Sequence, residues 1–265
     1  MNNKSFRKNP VYLAPIIALM CVQALEAQSP AQSTVQTQPQ PNTILGGLPY
    51  ELQVKASALG NRLYKPGHER VTITGTLQRN GTSIPAVVIF ELPSKVKISF
   101  GANQVLGFDG TSSWFSGGSI ASSDQDLLEA FSDDSPEAFF FSIAQQTHLF
   151  RPLVRYCRMD DGTTPNYSGP WVDIYQQVGV VLSRGDGTAR QKHFYFDSTT
   201  ELPDRVRYIL AAGNRVEVVR SQWTQYHGQY VPLQISRYQD GQVTHSLTGT
   251  SVTVGAYAND GTFSH

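Results

Sequence analysis

One short turn motif recurs along the chain and constrains its fold more than any other feature of the sequence. Asn or Asp followed by Gly and Thr occurs at Asn80-Gly81-Thr82, Asp109-Gly110-Thr111, Asp161-Gly162-Thr163, Asp186-Gly187-Thr188 and Asp260-Gly261-Thr262, with the related pairs Asp240-Gly241 and Gly213-Asn214. These residues accept the positive φ angles that two-residue β-hairpin turns require. Because the acidic residues stand singly and do not alternate within one loop, hairpins are favoured over calcium sites.

The segments between these turns have the patterns of β-strands. Val71, Ile73 and Leu77 alternate with threonines, which predicts a half-buried strand. Residues 84–92 are largely apolar on both faces, as is typical of a more central strand. Further strands are predicted at residues 95–100, 172–182, 189–196, 205–210, 215–226, 230–238 and 243–257.

Two regions interrupt the strand pattern with helical features. A short amphipathic stretch occupies residues 44–60, and a helical insert is predicted between residues 122 and 158. In the insert, Ser123 gives a capping-box-like start, and Ser135 followed by Pro136 begins a second helix. This order predicts an α+β fold in which an incomplete antiparallel β-barrel, a strongly curled sheet, covers a central helical insert.

Residues 1–27 have the layout of a secretory signal peptide. Three basic residues precede a 15-residue, mostly apolar stretch, and cleavage is expected after Ala24 or Ala27. A membrane-spanning helix needs about 20 apolar residues. A retained anchor is therefore disfavoured, and no transmembrane segment is expected after cleavage.

Residues 28–43 are rich in Gln, Pro, Ser and Thr and carry no charge. Such a stretch buries too little apolar surface to fold, so we expect a disordered linker before a single domain at residues 44–265. Cleavage after Ala27 leaves Cys157 as the one cysteine, which excludes an internal disulfide and predicts a buried, inert thiol. The mature domain is expected to be periplasmic or secreted.

The charge balance excludes one large class of function. The chain has 21 Lys and Arg against 21 Asp and Glu, and removal of residues 1–27 leaves 18 basic and 20 acidic residues. A protein without a basic excess cannot gain affinity by neutralising many phosphates. We therefore expect no nucleic-acid partner.

A search of the sequence for catalytic and metal sites finds none that can be assembled. The six histidines are scattered, with no i, i+4 pair for a metal, and no nucleophile elbow, phosphate loop or dinucleotide fingerprint occurs. The pairs Asp133-Asp134 and Asp160-Asp161 lie beside a predicted helix cap and a turn, where solvated Asp is expected. The sequence thus predicts a protein that is not an enzyme, without cofactors and without catalytic or metal-binding residues.

Three arginines after the helical segments are candidates for binding a lipid head group or a partner carboxylate. If Pro152 opens a helical turn, the spacing of Arg151, Arg155 and Arg158 places all three on one face. A solvated face is the alternative interpretation.

Aromatic and apolar side chains are candidates for an apolar ligand cavity. A curled sheet encloses either packed helices or a cavity, and the pattern alone leaves both readings open. The candidate cavity residues are Trp114, Phe139, Phe140, Phe141, Ile143, Phe150 and Trp171.

Several short segments follow one another in a characteristic order. They are Val71-Thr72-Ile73-Thr74-Gly75 after Ala58-Leu59-Gly60, Leu92-Pro93-Ser94-Lys95-Val96-Lys97, Phe108-Asp109-Gly110-Thr111-Ser112-Ser113-Trp114, Tyr195-Phe196-Asp197 with Leu202-Pro203, and Tyr226-His227-Gly228-Gln229-Tyr230-Val231-Pro232. Together they resemble the periplasmic lipoprotein-carrier superfamily of LolA/LolB-like and LppX-like proteins, over residues 44–263. The resemblance implies an incomplete β-barrel with helices on its concave side and room for acyl chains between them.

Three functions remain in competition. The leading hypothesis is an exported, non-enzymatic carrier-like protein that binds an acyl chain, a phospholipid or a lipoprotein. The second is an RseB-like envelope-sensing module that has a filled interior and binds an envelope protein. An envelope hydrolase is the least favoured, because no nucleophile, base and orienting group can be nominated together.

Overall fold

A computed structural model describes residues 50–59, 69–91, 94–145, 153–159, 165–166, 174–183, 189–258 and 260–264. The chain divides into two compact units, Met1–Thr37 and Gln38–His265, and every described residue belongs to the second. The expected signal peptide at residues 1–27 and linker at residues 28–43 lie outside the described residues. No helix in the described ranges has the length and apolar character needed to cross a membrane.

The described part of the chain forms three helices and thirteen strands. The helices are α1 (Tyr50–Ala58), α2 (Ser122–Phe131) and α3 (Pro136–Gln145). The strands are β1 (Arg70–Arg79), β2 (Thr82–Glu91), β3 (Lys95–Phe100), β4 (Gln104–Phe108), β5 (Ser113–Phe115), β6 (Leu153–Met159), β7 (Pro165–Asn166), β8 (Ile174–Ser183), β9 (Ala189–Asp197), β10 (Pro203–Ile209), β11 (Arg215–Tyr226), β12 (Gln229–Gln239) and β13 (Gln242–Gly255). The fold is thus mostly β, with small helices.

All thirteen strands belong to one antiparallel sheet. Its order is β5-β4-β3-β2-β1-β13-β12-β11-β10-β9-β8-β6-β7. Two meanders of hairpins, β1 to β5 and β8 to β13, meet where the first strand pairs with the last, from Arg70↔Gly255 to Arg79↔His245. The order has two edges, β5 and β7, so the sheet is not closed.

The predicted hairpin turns are confirmed where the structure describes them between strands. Asn80 and Gly81 have φ of 50° and 75° between β1 and β2, and Asp240 and Gly241 have φ of 49° and 81° between β12 and β13. Asp109 turns the chain between β4 and β5, where its Oδ1 accepts bonds from the backbone N–H groups of Thr111 and Ser112.

The remaining turn motifs have other outcomes. Gly213-Asn214 joins β10 to β11, as predicted. Asp260-Gly261 is not a hairpin turn, because it follows β13 and no described strand comes after it. Its carboxylate binds Arg70, with Oδ2 2.8 Å from Nη1. The motifs at 161–163 and 186–188 lie outside the described residues.

The helical predictions are confirmed for the first part of the insert and wrong for the last. Helix α2 has Ala121, not the expected Ser123, at its N-cap, and Asp124 Oδ2 accepts a bond from the Ala121 N–H at 3.3 Å. Ser135 caps α3 as predicted, since its Oγ accepts a bond from the Ala138 N–H at 3.0 Å. The segment that contains Arg155 and Arg158 is strand β6, because it pairs with β8, so the helical premise for grouping them with Arg151 is wrong.

The hydrophobic core lies on one face of the sheet and beneath the insert. Along β1, Val71, Ile73 and Leu77 point inwards and are buried, whereas Thr74 is exposed, as the alternation in the sequence predicts. Aligned inward positions of β2, β3, β9, β10 and β11 continue this face. The insert places Leu127, Leu128, Ala130, Phe131, Phe139 and Phe140 against it.

Candidate functional site

A groove of about 450 Å³, counting its mouth open to solvent, lies between the insert and the inward face of the sheet. Most of its wall is apolar. The lining residues are Val71, Ile73, Val88, Phe90, Ala130, Phe131, Ser135, Pro136, Glu137, Arg220, Val231, Pro232 and Ile235.

The groove arises where two helices meet four strands. Strand alternation turns one face of β1, β2 and β12 inwards, and these strands provide its aliphatic and aromatic floor. The end of α2 and the start of α3 provide the opposite wall. The chain turns between them because Ser132 Oγ donates back to the Leu128 carbonyl at 2.9 Å, while Ser135 caps α3.

Arg220 is the one cationic residue among the described residues that line the groove. Its side chain is buried, since the residue is only 2% exposed. Nη2 donates a hydrogen bond to the backbone carbonyl of Asp134, and Nη1 has no hydrogen-bond partner among the described residues. Burial lowers the pKa of Arg220 to about 10, against the opposing effect of Asp134 and Asp204, so the group remains a cation.

Beside the groove, four buried residues form what we call the Lys192 group: Lys192, Glu129, Asp134 and Tyr208. Lys192 Nζ lies 3.0 Å from Glu129 Oε1 and also binds Asp134 Oδ1, and the Tyr208 hydroxyl donates to Asp134 Oδ2 at 3.1 Å. Burial alone would lower the pKa of Lys192, but the two carboxylates raise it, so the ammonium stays charged. The Lys192, Glu129 and Asp134 side chains have at most 1% exposure, and none of the three is among the residues that line the groove.

A second set of charges lies under the other end of α2, and we call it the His245 group. Arg79, His245 and Arg237 form a cross-strand row on β1, β13 and β12. Arg79 Nη2 binds Asp124 Oδ1, and Arg237 Nη2 lies 3.3 Å from Asp126 Oδ2. In the part of the chain that the structure describes, neither ring nitrogen of His245 has a hydrogen-bond partner. Burial, followed by the charges of Arg237 and Arg79, lowers the pKa of His245 to about 4.

The aromatic residues proposed for a cavity are placed elsewhere. Phe139 and Phe140 are fully buried and pack against Phe194 and Phe196, with centroids of Phe139 and Phe194 4.3 Å apart. Trp114 lies on the edge strand β5, and its indole N–H donates to the Phe263 carbonyl at 3.1 Å. None of these three proposed residues is among those that line the groove.

The other proposed site residues fall wholly or partly outside the description. Phe150, Trp171 and Arg151 are outside the described residues, and so are the side chains of Phe141, Ile143, Arg155 and Arg158. No group of three or more His, Cys, Asp or Glu in the described residues could hold a metal ion.

Arg220 was absent from the sequence-based candidates, although a signal for it exists. Val216 and Val218 are inward-facing strand positions, and Arg220 continues them at the same period of two. A charged residue at an inward position of a strand has to find a partner or a ligand, and that observation alone separates Arg220 from the chain's exposed arginines.

No family model and no curated protein matches this sequence. Solved structures do match it. A DUF1329 family protein from Desulfovibrio piger has a TM-score of 0.52 at 11% identity, over 86% of this chain and 98% of that one. A LolA superfamily protein from Nitrosomonas europaea has a TM-score of 0.49 at 13% identity, over 80% of this chain and 97% of that one. At these identities the likeness concerns the fold alone.

Proposed function

We propose that this protein is an exported, non-enzymatic, carrier-like protein that holds an acyl chain in the groove between the helical insert and the sheet. The observation that carries the proposal is the groove itself, with its nearly continuous apolar wall between the insert and the sheet. Burial of apolar ligand surface against such a wall is favourable in proportion to the area removed from water. The acyl chain comes from a phospholipid or a lipoprotein.

The contacts of α2 support an incomplete barrel around the insert. Helix α2 has ten residues, about 15 Å in length. It contacts β3 and β4, and Asp134, three residues after its end, binds Lys192 on β9. In a flat sheet β4 and β9 would be eight strand spacings apart, about 38 Å. We infer that the sheet curls around the insert, which places the groove on its concave side.

The sequence supports the location. Residues 1–27 have the charge and apolar pattern of a signal peptide, followed by the uncharged stretch 28–43. Export to the periplasm, with one domain from residue 44 onwards, is therefore part of the proposal. Mass measurement of the protein purified from an envelope fraction would identify the mature N-terminus.

Native mass spectrometry of the envelope-purified protein tests the acyl-chain function. We expect adducts of phospholipid or acylated peptide, and we expect Ala130→Phe to reduce them, because Ala130 lines the groove and Phe would fill it. Val54→Phe, on an exposed position of α1, is the matched control and should keep the adducts. A clean apo mass that does not change when phospholipid or acylated peptide is added would refute the proposal.

One observation favours the alternative, an RseB-like module that binds an envelope protein. The four phenylalanines 139, 140, 194 and 196 are fully buried and pack against one another beside α3. A sensor with a filled interior would keep its protein partner after all lipid has been extracted, whereas a carrier would not depend on one. Affinity purification from delipidated envelope extract separates the two functions.

A further inference from the structure

The two terminal nitrogens of the Arg220 guanidinium differ in their hydrogen bonding. Its Nη2 is engaged by the Asp134 carbonyl, and Nη1 has no acceptor within the described residues, although the side chain is almost completely buried. A buried donor that stays unsatisfied is unfavourable, because it has lost its hydrogen bonds to water. Since Arg220 lines the groove, a ligand there can provide the missing acceptor.

The other polar residues of the groove do not fill this role. Ser135 Oγ accepts the bond from the Ala138 N–H that caps α3. Glu137, in the first turn of α3, is a buried carboxylate and has interactions of its own. As far as the described residues show, the groove is thus mostly apolar, and Arg220 is its one cation, with a buried Nη1 that lacks an acceptor.

The charges around Arg220 decide which acceptor fits. The carboxylates of Asp134 and Asp204 already act on the guanidinium from the protein side. Glu137 adds a negative charge in the groove wall, and Glu129 lies next to Lys192. In the described part of the chain, at least four carboxylates thus lie around the two cations Arg220 and Lys192. A ligand carboxylate would bring a further negative charge into this buried region, where an uncompensated charge is costly.

We propose that Arg220 selects acyl chains by their linkage, with Nη1 donating to the neutral carbonyl oxygen of an ester- or amide-linked chain while the free carboxylate of a fatty acid is disfavoured. This specificity rests on the proposed function, since it requires an acyl chain in the groove. The neutral carbonyl satisfies the donor without adding charge, and the chain covers the apolar wall. Esterified or N-acylated lipids are then the ligand class, and free fatty acids are not.

Three ligands with the same twelve-carbon chain test the proposal by isothermal titration at pH 8. They are monolauroylglycerol (a neutral ester), dodecylglycerol ether (no carbonyl) and laurate (a free carboxylate). For the wild-type protein we expect the ester to bind at least tenfold more tightly than either of the others. Arg220→Met should abolish the preference for ester over ether, and Arg220→Gln, which keeps an N–H donor, should retain part of it. Arg205→Met, whose arginine pairs with Glu217 away from the groove, is the control.

Each outcome decides one of the two proposals. Laurate binding as tightly as the ester, or equal binding of ester and ether, would overturn the role of Arg220 and leave acyl-chain binding intact. The same holds if a folded Arg220→Met protein keeps the ester preference, as it would if a water molecule satisfies Nη1. If Arg220→Met does not fold, the order of the three affinities in the wild-type protein and in Arg220→Gln still tests the role of Arg220. If none of the three ligands and no phospholipid binds, the proposed function itself fails.

Discussion

The two ends of α2 are held against the sheet by two groups of charged residues, which differ in how completely their hydrogen bonds are satisfied and in their exposure to solvent. In the Lys192 group, one ammonium is bound by two carboxylates, and a tyrosine hydroxyl satisfies one of them further. In the His245 group, the ring nitrogens of His245 and the Nε atoms of Arg79 and Arg237 have no hydrogen-bond partner within the described residues. The Asp126 side chain is also 30% exposed, whereas Asp134 is fully buried.

This difference predicts where the insert is held most firmly. A buried cluster whose members satisfy one another is costly to break, because each removed partner leaves an uncompensated charge. When one contact is removed from a cluster that already has unsatisfied donors and a solvent-exposed partner, the loss of stability is smaller. We therefore expect the C-terminal end of α2, next to the groove, to be the firmer anchor and the N-terminal end to open more easily.

The largest effect is expected for Lys192→Met. This change leaves Glu129 and Asp134 buried without their cation, and the free energy of unfolding should fall by about 3–5 kcal/mol at pH 7. Chemical denaturation measures the loss. Arg237→Met in the His245 group is the matched comparison, and we expect less than half the effect because Asp126 can return to water. Equal losses in the two variants would contradict the distinction between the two ends.

The next effect is a pH dependence that belongs to the His245 group. The pKa of His245 is about 4 in the folded protein and 6.5 ordinarily. Between these values the unfolded chain binds a proton and the folded protein does not, so stability falls as pH falls from 6.5 to 4. The loss over this window is on the order of 3 kcal/mol. Arg237, Arg79 and Asp124 are the charged groups that act on the ring, and Asp126 contacts Arg237.

Denaturation of the wild-type protein and of His245→Leu at several pH values measures the contribution of His245 to stability. His245→Leu should flatten the slope between pH 6.5 and 4, because the carboxylates that also titrate are common to both proteins. His193→Gln is the control, since His193 is on the face of β9 opposite to Lys192. If His245→Leu and the wild-type protein keep the same slope, His245 does not titrate as its burial requires.

A smaller effect tests the turn between α2 and α3, which belongs to the firm end. Ser135→Ala removes the acceptor for the Ala138 N–H and should cost about 1 kcal/mol, the usual value of an N-cap. Ser132→Ala, which removes only a bond back to the Leu128 carbonyl, should change stability by about 0.5 kcal/mol or less. The reverse order in thermal unfolding would show that the cap is not what fixes this turn.

Local features of the fold could be predicted from the sequence because they depend on a few adjacent residues. The Asn80-Gly81 and Asp240-Gly241 turns need positive φ, and the residues permit it wherever they occur between strands. The pairing of β1 with β13 joins residues that are far apart in the chain, and no local pattern encodes it. The sequence predicts helix up to residue 158, but residues 153–159 form a strand, because pairing with β8 outweighs the local residue spacing.

The candidate site was missed although its charges carry a signal. No Lys or Arg occurs between Lys97 and Arg151, whereas seven acidic residues do. The basic partners stand at inward positions of strands, as Lys192 does before Phe194 and Phe196. An insert rich in acidic residues predicts that basic residues occur at inward positions of the strands beneath it, and such basic residues predict an acidic insert. Which acid meets which base follows only from the strand order, and that order is not local.

The exposed contact between Asp126 and Arg237 in the His245 group gives the sharpest comparison of the two ends. Arg237 Nη1 donates hydrogen bonds to Thr244 Oγ1 at 3.0 Å and to Gln239 Oε1 at 3.4 Å. These bonds do not involve Asp126, so we expect them to remain when Asp126 is replaced by Asn. Because Asp126 is partly solvated, we expect Asp126→Asn to cost about 1 kcal/mol or less. In 1 M salt, where the screening length is about 3 Å, the loss should nearly vanish. Asp134→Asn, in the fully buried Lys192 group, should cost more and respond little to salt. If salt weakens both losses alike, the two ends of α2 are equally open to solvent, and the firmer anchor beside the groove does not exist.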